Sequence, residues 1–117
     1  MNTSRQPNQA FTLVEIMVVV VIIGVLAALA LPAFQRVRAA SQDKSVLNNA
    51  RQMAAAADSY FLETGSGYAA SSSLVGAANY VKVFDPVANE TYPANYTQGV
   101  TVTVTGVGAA RTITYSP

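Results

Sequence analysis

The sequence predicts an α+β protein in which one long N-terminal α-helix, half membrane-spanning and half amphipathic, packs against a small antiparallel β-sheet. Two observations lead to this fold class. Apolar residues are concentrated near the N-terminus, and Val alternates with Thr near the C-terminus. The chain has 117 residues, 51% of them hydrophobic and only 11% charged, against ~25% charged in an average soluble domain. This surplus of apolar residues predicts a membrane segment beside one small domain.

The composition excludes several classes of site. The chain contains no His and no Cys, so disulfides, thiol chemistry, His-based triads and the usual zinc ligands are absent. A net charge of +1 gives no general attraction to nucleic acid. The basic residues are also scattered along the chain, so no nucleic-acid interface is predicted. Among these classes the composition leaves only carboxylate-based sites open. We predict a structural protein without catalytic activity, cofactor or metal.

Residues 1–10 are polar and show no periodicity, whereas residues 11–34 form an apolar run whose only polar side chains are Thr12 and Glu15. A helix over residues 11–34 would be roughly 36 Å long, enough for a hydrocarbon core of about 30 Å. The β-branched block at residues 18–23 would favour a strand in water. In lipid the backbone must satisfy its own hydrogen bonds, so we predict a transmembrane helix.

Residues 35–64 predict an amphipathic helix, because apolar residues recur at three- and four-residue spacing with charged residues between them. We expect this helix to end at Glu63 or Thr64, since Gly65 follows and can adopt the left-handed cap conformation. The predicted apolar stripe consists of Phe34, Val37, Leu47, Ala50, Met53 or Ala54, Ala57, and Tyr60 or Phe61.

Residues 65–117 predict a small β-sheet head with loops. Residues 80–84 predict a strand, and residues 100–105 and 111–115 predict the two arms of a hairpin with its turn at residues 106–110. Residues 85–99 are expected to form a loop, and residues 71–73 are low-complexity polar sequence. A segment of this size buries too little surface to be stable alone, so the sheet should pack on the helical stripe.

Residues 10–34, with the sequence AFTLVEIMVVVVIIGVLAALALPAF, closely resemble the type IV pilin family. Members of that family begin with a short leader, a cleavage point before a Phe, an F-T-L-x-E start and a long apolar helix under a β-sheet. The resemblance implies that residues 1–10 are a leader, that cleavage falls between Ala10 and Phe11, and that Phe11 is then N-methylated. The family normally has Gly before the cleavage point, where this chain has Ala10.

The resemblance implies a structural subunit of a type IV pilus, a helical homopolymer assembled through the N-terminal helix. It implies a prepilin peptidase and methyltransferase, an inner-membrane assembly platform and membrane lipid as partners. The precursor would lie in the inner membrane and the filament on the cell surface. One alternative is a pseudopilin of a type II secretion system. Another is a small secreted binding protein with an ordinary signal peptide cleaved after Ala28-Leu29-Ala30.

Glu15 is the one carboxylate in the apolar run, and the sequence predicts that it acts in assembly. A charged residue in the bilayer centre costs roughly 2.5 to 3.5 kcal/mol, so an acid there signals function unless it lies at headgroup level. One interpretation keeps Glu15 near the headgroups, where it favours the helix dipole. The other pairs it with the amine of Phe11 in a neighbouring subunit, which neutralises two charges when the helices pack together.

Three further positions of the apolar run concern packing and flexibility. Gly24 and Ala28 form a small-xxx-small pair that allows close helix contact. Pro32 cannot donate to the helix ladder and should kink the helix or loosen the turn before it. In the family that the sequence resembles, the stretch from Gly24 to Pro32 is where the helix can melt inside a filament.

The loop at residues 85–99 contains two weaker signals. Asp85 and Glu90 could hold a calcium ion, but two acids are few for a site that takes six to eight oxygens, and a solvated loop is the favoured interpretation. Asn89 and Asn95 each begin a glycosylation sequon and are expected to be exposed.

Overall fold

A computed structural model describes residues 10–76, 78–108 and 110–117. In chain order the elements are α1 (Leu13–Thr64), β1 (Tyr68–Ala70), α2 (Ser71–Leu74), β2 (Asn95–Thr97), β3 (Val102–Val107) and β4 (Arg111–Tyr115). The chain divides into two compact units, one ending at Arg36 and the other comprising Val37–Pro117. The predicted α+β fold class is confirmed, whereas residues 1–9 of the predicted leader lie outside the described residues.

The first unit is helical from Leu13 onward and is apolar on all sides. Every described residue from Ala10 to Arg36 is exposed. The helix contains an 18-residue window that is long enough and apolar enough to cross a membrane, and none of that window is buried. Pro32 lies inside the helix. A helix that is hydrophobic all round belongs in lipid or among other helices, because water would meet its apolar side chains everywhere.

In the second unit α1 contributes one face of the core. The predicted stripe is confirmed from Ala50 onward, but Phe34 and Val37 are exposed and were assigned to it wrongly. Leu47 is half-buried because Val46 takes the buried position. These corrections have one cause, namely that the sheet covers the helix only from about Val46. The residues of α1 that are buried are Val46, Ala50, Met53, Ala54, Ala56, Ala57 and Phe61.

The end of α1 is as predicted. The last helical residue is Thr64, and Gly65 follows with φ +68°. The Gly65 N–H donates to the Phe61 carbonyl at 2.9 Å, which satisfies one of the terminal carbonyls of the helix.

The strands form two antiparallel pairs. β1 pairs with β2, with Ala69 opposite Tyr96, and β3 pairs with β4. The β3–β4 pair is the predicted hairpin, although β3 continues to Val107 through an irregularity at Gly106, whose φ is +76°. A glycine at this position allows a bulge that few other residues could form.

The Val and Thr alternation of β3 becomes its two faces. Val102, Val104 and Val107 are buried, whereas Thr103 and Thr105 are exposed. Because successive side chains of a strand point to opposite faces, this pattern turns the apolar face of the hairpin to the core. The buried valines join the α1 face in one hydrophobic cluster, which also includes Ala69, Leu74, Ala88 and Tyr96.

Two local predictions were wrong. Residues 80–84 do not form a strand, since within the described residues only Val81 makes a bridge, to Val75. The sheet position beside β1 is taken by residues 95–97, which fall within the predicted loop. The low-complexity polar residues 71–73 begin the short helix α2.

Arg111 fixes the hairpin on the helix of the second unit. Its Nη1 lies 2.6 Å from Oδ1 of Asp43 and donates to the Ala39 carbonyl at 3.3 Å. Its Nη2 donates to Oε1 of Gln42 at 3.3 Å. The guanidinium thus joins the first residue of β4 to one turn of α1 through both of its Nη groups.

Candidate assembly site

The predicted cleavage point precedes the helix. Ala10 and Phe11 lie outside regular structure and are exposed, with 82% of Phe11 accessible. α1 begins two residues later, at Leu13. The bond between Ala10 and Phe11 is therefore presented on non-helical backbone.

Glu15 and Thr12 form a reciprocal cap at the start of α1. The Thr12 N–H donates to Oε2 of Glu15 at 3.0 Å, and the Glu15 N–H donates to Oγ1 of Thr12 at 3.3 Å. This is a capping box, which satisfies two N–H groups that the first turn of a helix leaves without partners. The carboxylate also lies at the positive end of the helix dipole.

The capping box was not recognised from the sequence, although the pattern Thr12-x-x-Glu15 is its signature. Both residues stand inside an apolar run, where a lone carboxylate indicates first an interfacial residue at the helix dipole or a charge that pairs between subunits. Within the described residues the carboxylate makes no hydrogen bond to Phe11. Its pairing with the amine of a neighbouring subunit stays a prediction.

Gly24, Ala28 and Pro32 lie on exposed helix in the single chain. A Cβ added at Gly24 would meet nothing within 4 Å. The chain itself therefore gives no reason for a glycine there, and a close approach could only come from outside it. Packing at Gly24 and Ala28 and flexibility at Pro32 also stay predictions.

Glu90 is the one buried charged residue of the second unit within the described residues. Its Oε1 accepts hydrogen bonds from the Val87 N–H at 3.1 Å and the Tyr92 hydroxyl at 2.8 Å, and its Oε2 accepts one from the Ala88 N–H at 2.6 Å. The carboxylate thereby closes the loop on itself. Our interpretation of this part as a solvated loop was wrong for Glu90.

The surroundings of Glu90 set its pKa. Burial raises the pKa, but hydrogen bonds from backbone N–H groups and from Tyr92 outweigh burial and lower the pKa below its ordinary value of 4.5. Burial also raises the pKa of Tyr92, so this hydroxyl stays a donor. With its lone pairs committed in this way, Glu90 is poorly placed for calcium. The described residues contain no group of three acidic side chains that could hold a metal ion.

The comparisons with known proteins agree with the geometry at the N-terminus. Residues 5–31 match the family described as the prokaryotic N-terminal methylation motif. In this segment the chain is similar to the type IV pilin family. The matched segment contains the predicted cleavage point, Phe11, the capping box and Gly24, and from Leu13 onward it overlaps the exposed apolar helix.

Several curated pilins resemble the chain. It is 39% identical over 90 residues to the type IV major pilin protein PilE of Neisseria gonorrhoeae, covering 70% of this chain and 51% of that protein. It is 43% identical over 61 residues to the fimbrial protein EcpC of Eikenella corrodens, covering 52% and 40%. For the type IV major fimbrial protein FimA of Dichelobacter nodosus the values are 42% over 60 residues, 51% and 38%. The chain thus spans about half the length, or less, of these relatives. No solved structure matches the chain.

Proposed function

We propose that this chain is a pilin, a major-type structural subunit of a type IV pilus filament, without catalytic activity. The observation that carries the proposal is the first unit, a helix that is apolar all round, wholly exposed, and marked by a methylation motif at its start. Such a helix needs apolar surroundings on every side. Lipid supplies them before assembly, and the helices of other copies supply them in a filament core.

The relatives support a filament role because their names describe major pilins and fimbrial proteins. In our proposal a prepilin peptidase cuts between Ala10 and Phe11, a methyltransferase modifies the new amine of Phe11, and an inner-membrane platform adds the subunit to the fibre. The precursor resides in the inner membrane and the product on the cell surface. Glu15 then pairs with the Phe11 amine of a neighbour, which sets the register between subunits.

The proposal is tested on fibres sheared from cells that express the chain. Electron microscopy should show long, thin fibres, and intact-mass analysis of their subunit should show a chain that starts at Phe11 and carries one added methyl group. Short assemblies confined to the cell envelope would indicate a secretion pseudopilin instead. A mature chain that starts at Leu31 would establish an ordinary signal peptide and overturn the proposal.

A further inference from the structure

One edge of the β3–β4 hairpin makes backbone hydrogen bonds to another segment of the chain, whereas the other edge makes none within the described residues. On the used side, Thr105 exchanges both of its backbone hydrogen bonds with Thr91, at 2.7 and 3.0 Å. Backbone groups of successive strand residues point to alternate sides, so those of Val104 point the other way, to Ile113 of β4. The alternation therefore shows which residues of β4 direct their backbone N–H and C=O groups to β3 and which direct them outward.

The outward-facing residues of β4 are Thr112 and Thr114. Their N–H and C=O groups point away from β3, and within the described residues no hydrogen bond reaches them. At β1 a side chain satisfies the backbone groups instead. The Ser66 hydroxyl donates to the Tyr68 carbonyl at 2.9 Å and accepts from the Tyr68 N–H at 3.3 Å. Proteins blunt strand edges with such devices, and the outward positions of β4 carry neither a charge nor a proline.

The same chain contains a strand-prone segment without a ladder partner. Residues 80–84, with the sequence YVKVF, alternate like a strand. Only Val81 is paired, through its N–H to the Leu74 carbonyl and its carbonyl to the Gly76 N–H, both at 2.9 Å. From Lys82 to Phe84 no backbone hydrogen bond is made within the described residues, and the Val83 side chain is 73% exposed.

We propose that residues 82–84 of one copy pair with the outer edge of β4 of the next copy and extend its sheet by a short strand. This inference rests on the proposed filament function. Pairing within one chain is unfavourable, because Val81 is held beside α2 whereas the free edge of β4 lies on the far side of β3 from Thr91. Each copy then has one donor segment and one acceptor edge.

A second copy fits this arrangement better than an unrelated protein. Donor and acceptor lie at different places on the same chain, so their contact is heterologous and leaves a free donor and a free acceptor at the two ends of any assembly. Contacts of this kind continue into open helical polymers unless the rotation closes a ring. The backbone groups that both elements leave unpaired in the single chain become paired in the fibre.

Cysteine crosslinking in fibres tests the pairing, because the natural chain contains no Cys. Lys82 and Val83 are adjacent, so in an extended segment one of them shares the face of Thr112 and Thr114. Four double variants combine Lys82→Cys or Val83→Cys with Thr112→Cys or Thr114→Cys. After mild oxidation of fibres, at least one should give a ladder of dimers, trimers and longer species that collapses to monomer on reduction.

The matched control places the second cysteine in β3 instead of β4. Thr103 is exposed like Thr114 and lies opposite it in β3. A donor strand outside β4 would be about 10 Å from β3, beyond the reach of a disulfide. Thr103→Cys combined with either donor variant should therefore stay monomeric on the gel, as should each single-cysteine variant. Fibres of all four double variants without a ladder would overturn the pairing.

Amide hydrogen exchange on wild-type fibres tests the pairing without any substitution. The amides of Thr112 and Thr114, and either that of Val83 or those of Lys82 and Phe84, should exchange more slowly in fibres than in the processed subunit held in detergent, because alternate residues of a strand bond to the same side. Equal exchange in both states would overturn the pairing while leaving the filament function intact. If the wild-type chain forms no fibres at all, the proposed function fails and the pairing fails with it.

Discussion

Two glutamates accept backbone hydrogen bonds in the described part of this chain, and their surroundings give them different roles. Glu15 is exposed at the first turn of α1, where it caps the helix together with Thr12. Glu90 is buried in the head, where it holds its own loop through Val87 and Ala88. A substitution at Glu15 should therefore change assembly with little effect on the head. One at Glu90 should destabilise the head directly.

Replacing Glu15 tests the pairing with the Phe11 amine. Glu15→Gln keeps the size and a carbonyl acceptor but removes the charge, so the variant should insert into the membrane yet give few or no fibres. Glu15→Val should insert at least as well and assemble no better. Fibre counts by electron microscopy and membrane fractionation measure both effects.

Cleavage has to be verified by mass in both Glu15 variants, because a chain that retains its leader would fail to assemble for another reason. A fully processed Glu15→Gln chain that yields wild-type numbers of fibres would contradict charge pairing. Glu15 would then act only as a helix cap.

Glu90→Gln should destabilise the head by about 2 kcal/mol at neutral pH, because an amide group would face N–H donors that now meet a carboxylate. The pKa of Glu90 is lowered on folding, so its contribution to stability is present above the ordinary pKa of 4.5 and is lost as the pH falls through the folded value. Urea unfolding of the fragment 36–117 should show the gap between wild type and variant narrowing below about pH 4.5. A gap independent of pH would contradict this role.

Tyr96→Phe, unlike Glu90→Gln, should not destabilise the head. The Tyr96 hydroxyl is buried and has no hydrogen-bond partner within the described residues, so its removal should leave the head equally stable or stabilise it by up to about 1 kcal/mol. Burial raises the pKa of Tyr96 to about 12, above its ordinary value of 10.0. As the pH rises from 10 towards 12, the unfolded chain therefore ionises at Tyr96 before the folded head does, and the wild-type head loses stability. Unfolding of the Phe variant should depend less steeply on pH over this range.

At the scale of elements, the helix end and the strands that depend on neighbouring residues could be predicted from the sequence. The end of α1 could be predicted because Gly65 follows it, and the β3–β4 hairpin because Val and Thr alternate around a glycine turn. The β1–β2 pair could not, since each strand has three residues and its partner lies far along the chain. Residues 80–84 have the strand pattern, but within the described residues they make only the single bridge from Val81 to Val75, and a pattern cannot supply the rest of a ladder.

The residues of the candidate site and the buried Glu90 also differ in how far the sequence could predict their roles. The resemblance and the charge pattern singled out Phe11 and Glu15, and the match to the methylation motif covers both. Glu90 was misjudged because a short polar loop gives no sign of which of its acids will turn inward. Its hydrogen bonds come from Val87 and Ala88, and backbone donors leave no mark in a sequence.

The helix cap can be tested by two matched glycines. Gly65 has φ +68° and Gly67 does not adopt the left-handed region, while a Cβ at either would meet nothing within 4 Å. Gly65→Ala should cost the head about 1 kcal/mol, because alanine is strained at that backbone angle. Gly67→Ala should change the unfolding free energy by less than about half that amount. Equal effects in urea unfolding would show that the conformation of Gly65 is not what matters.

At the scale of the whole molecule, the two units need different surroundings. The buried core residues described in the second unit run from Val46 to Val107, with Ile113 and Tyr115 packed against them, whereas the described residues of the first unit are all exposed. The head therefore depends on the C-terminal half of α1 for its folding. The N-terminal half of α1 depends on lipid or on other copies.

A fragment from Arg36 to Pro117 should be soluble, monomeric and cooperative in thermal unfolding, because it retains the buried face of α1. A fragment from Gly65 to Pro117 should be unfolded or aggregate, since it lacks Met53, Phe61 and the other helical core residues. Circular dichroism and size-exclusion chromatography measure both. Cooperative unfolding of the shorter fragment would show that the helix is not part of the core.

The position of the cap has a consequence for the timing of maturation. Proteolysis of folded protein is commonly limited by a local opening step, but the bond between Ala10 and Phe11 lies ahead of the first helical turn and needs no such step. Thr12 and Glu15 both lie on the mature side of that bond, so the helix keeps its cap when the leader is released. In the proposed processing, the rate of cleavage should then be set by encounter with the peptidase and by how well that enzyme accepts Ala10, and the cap formed by Thr12 and Glu15 should be unchanged afterwards.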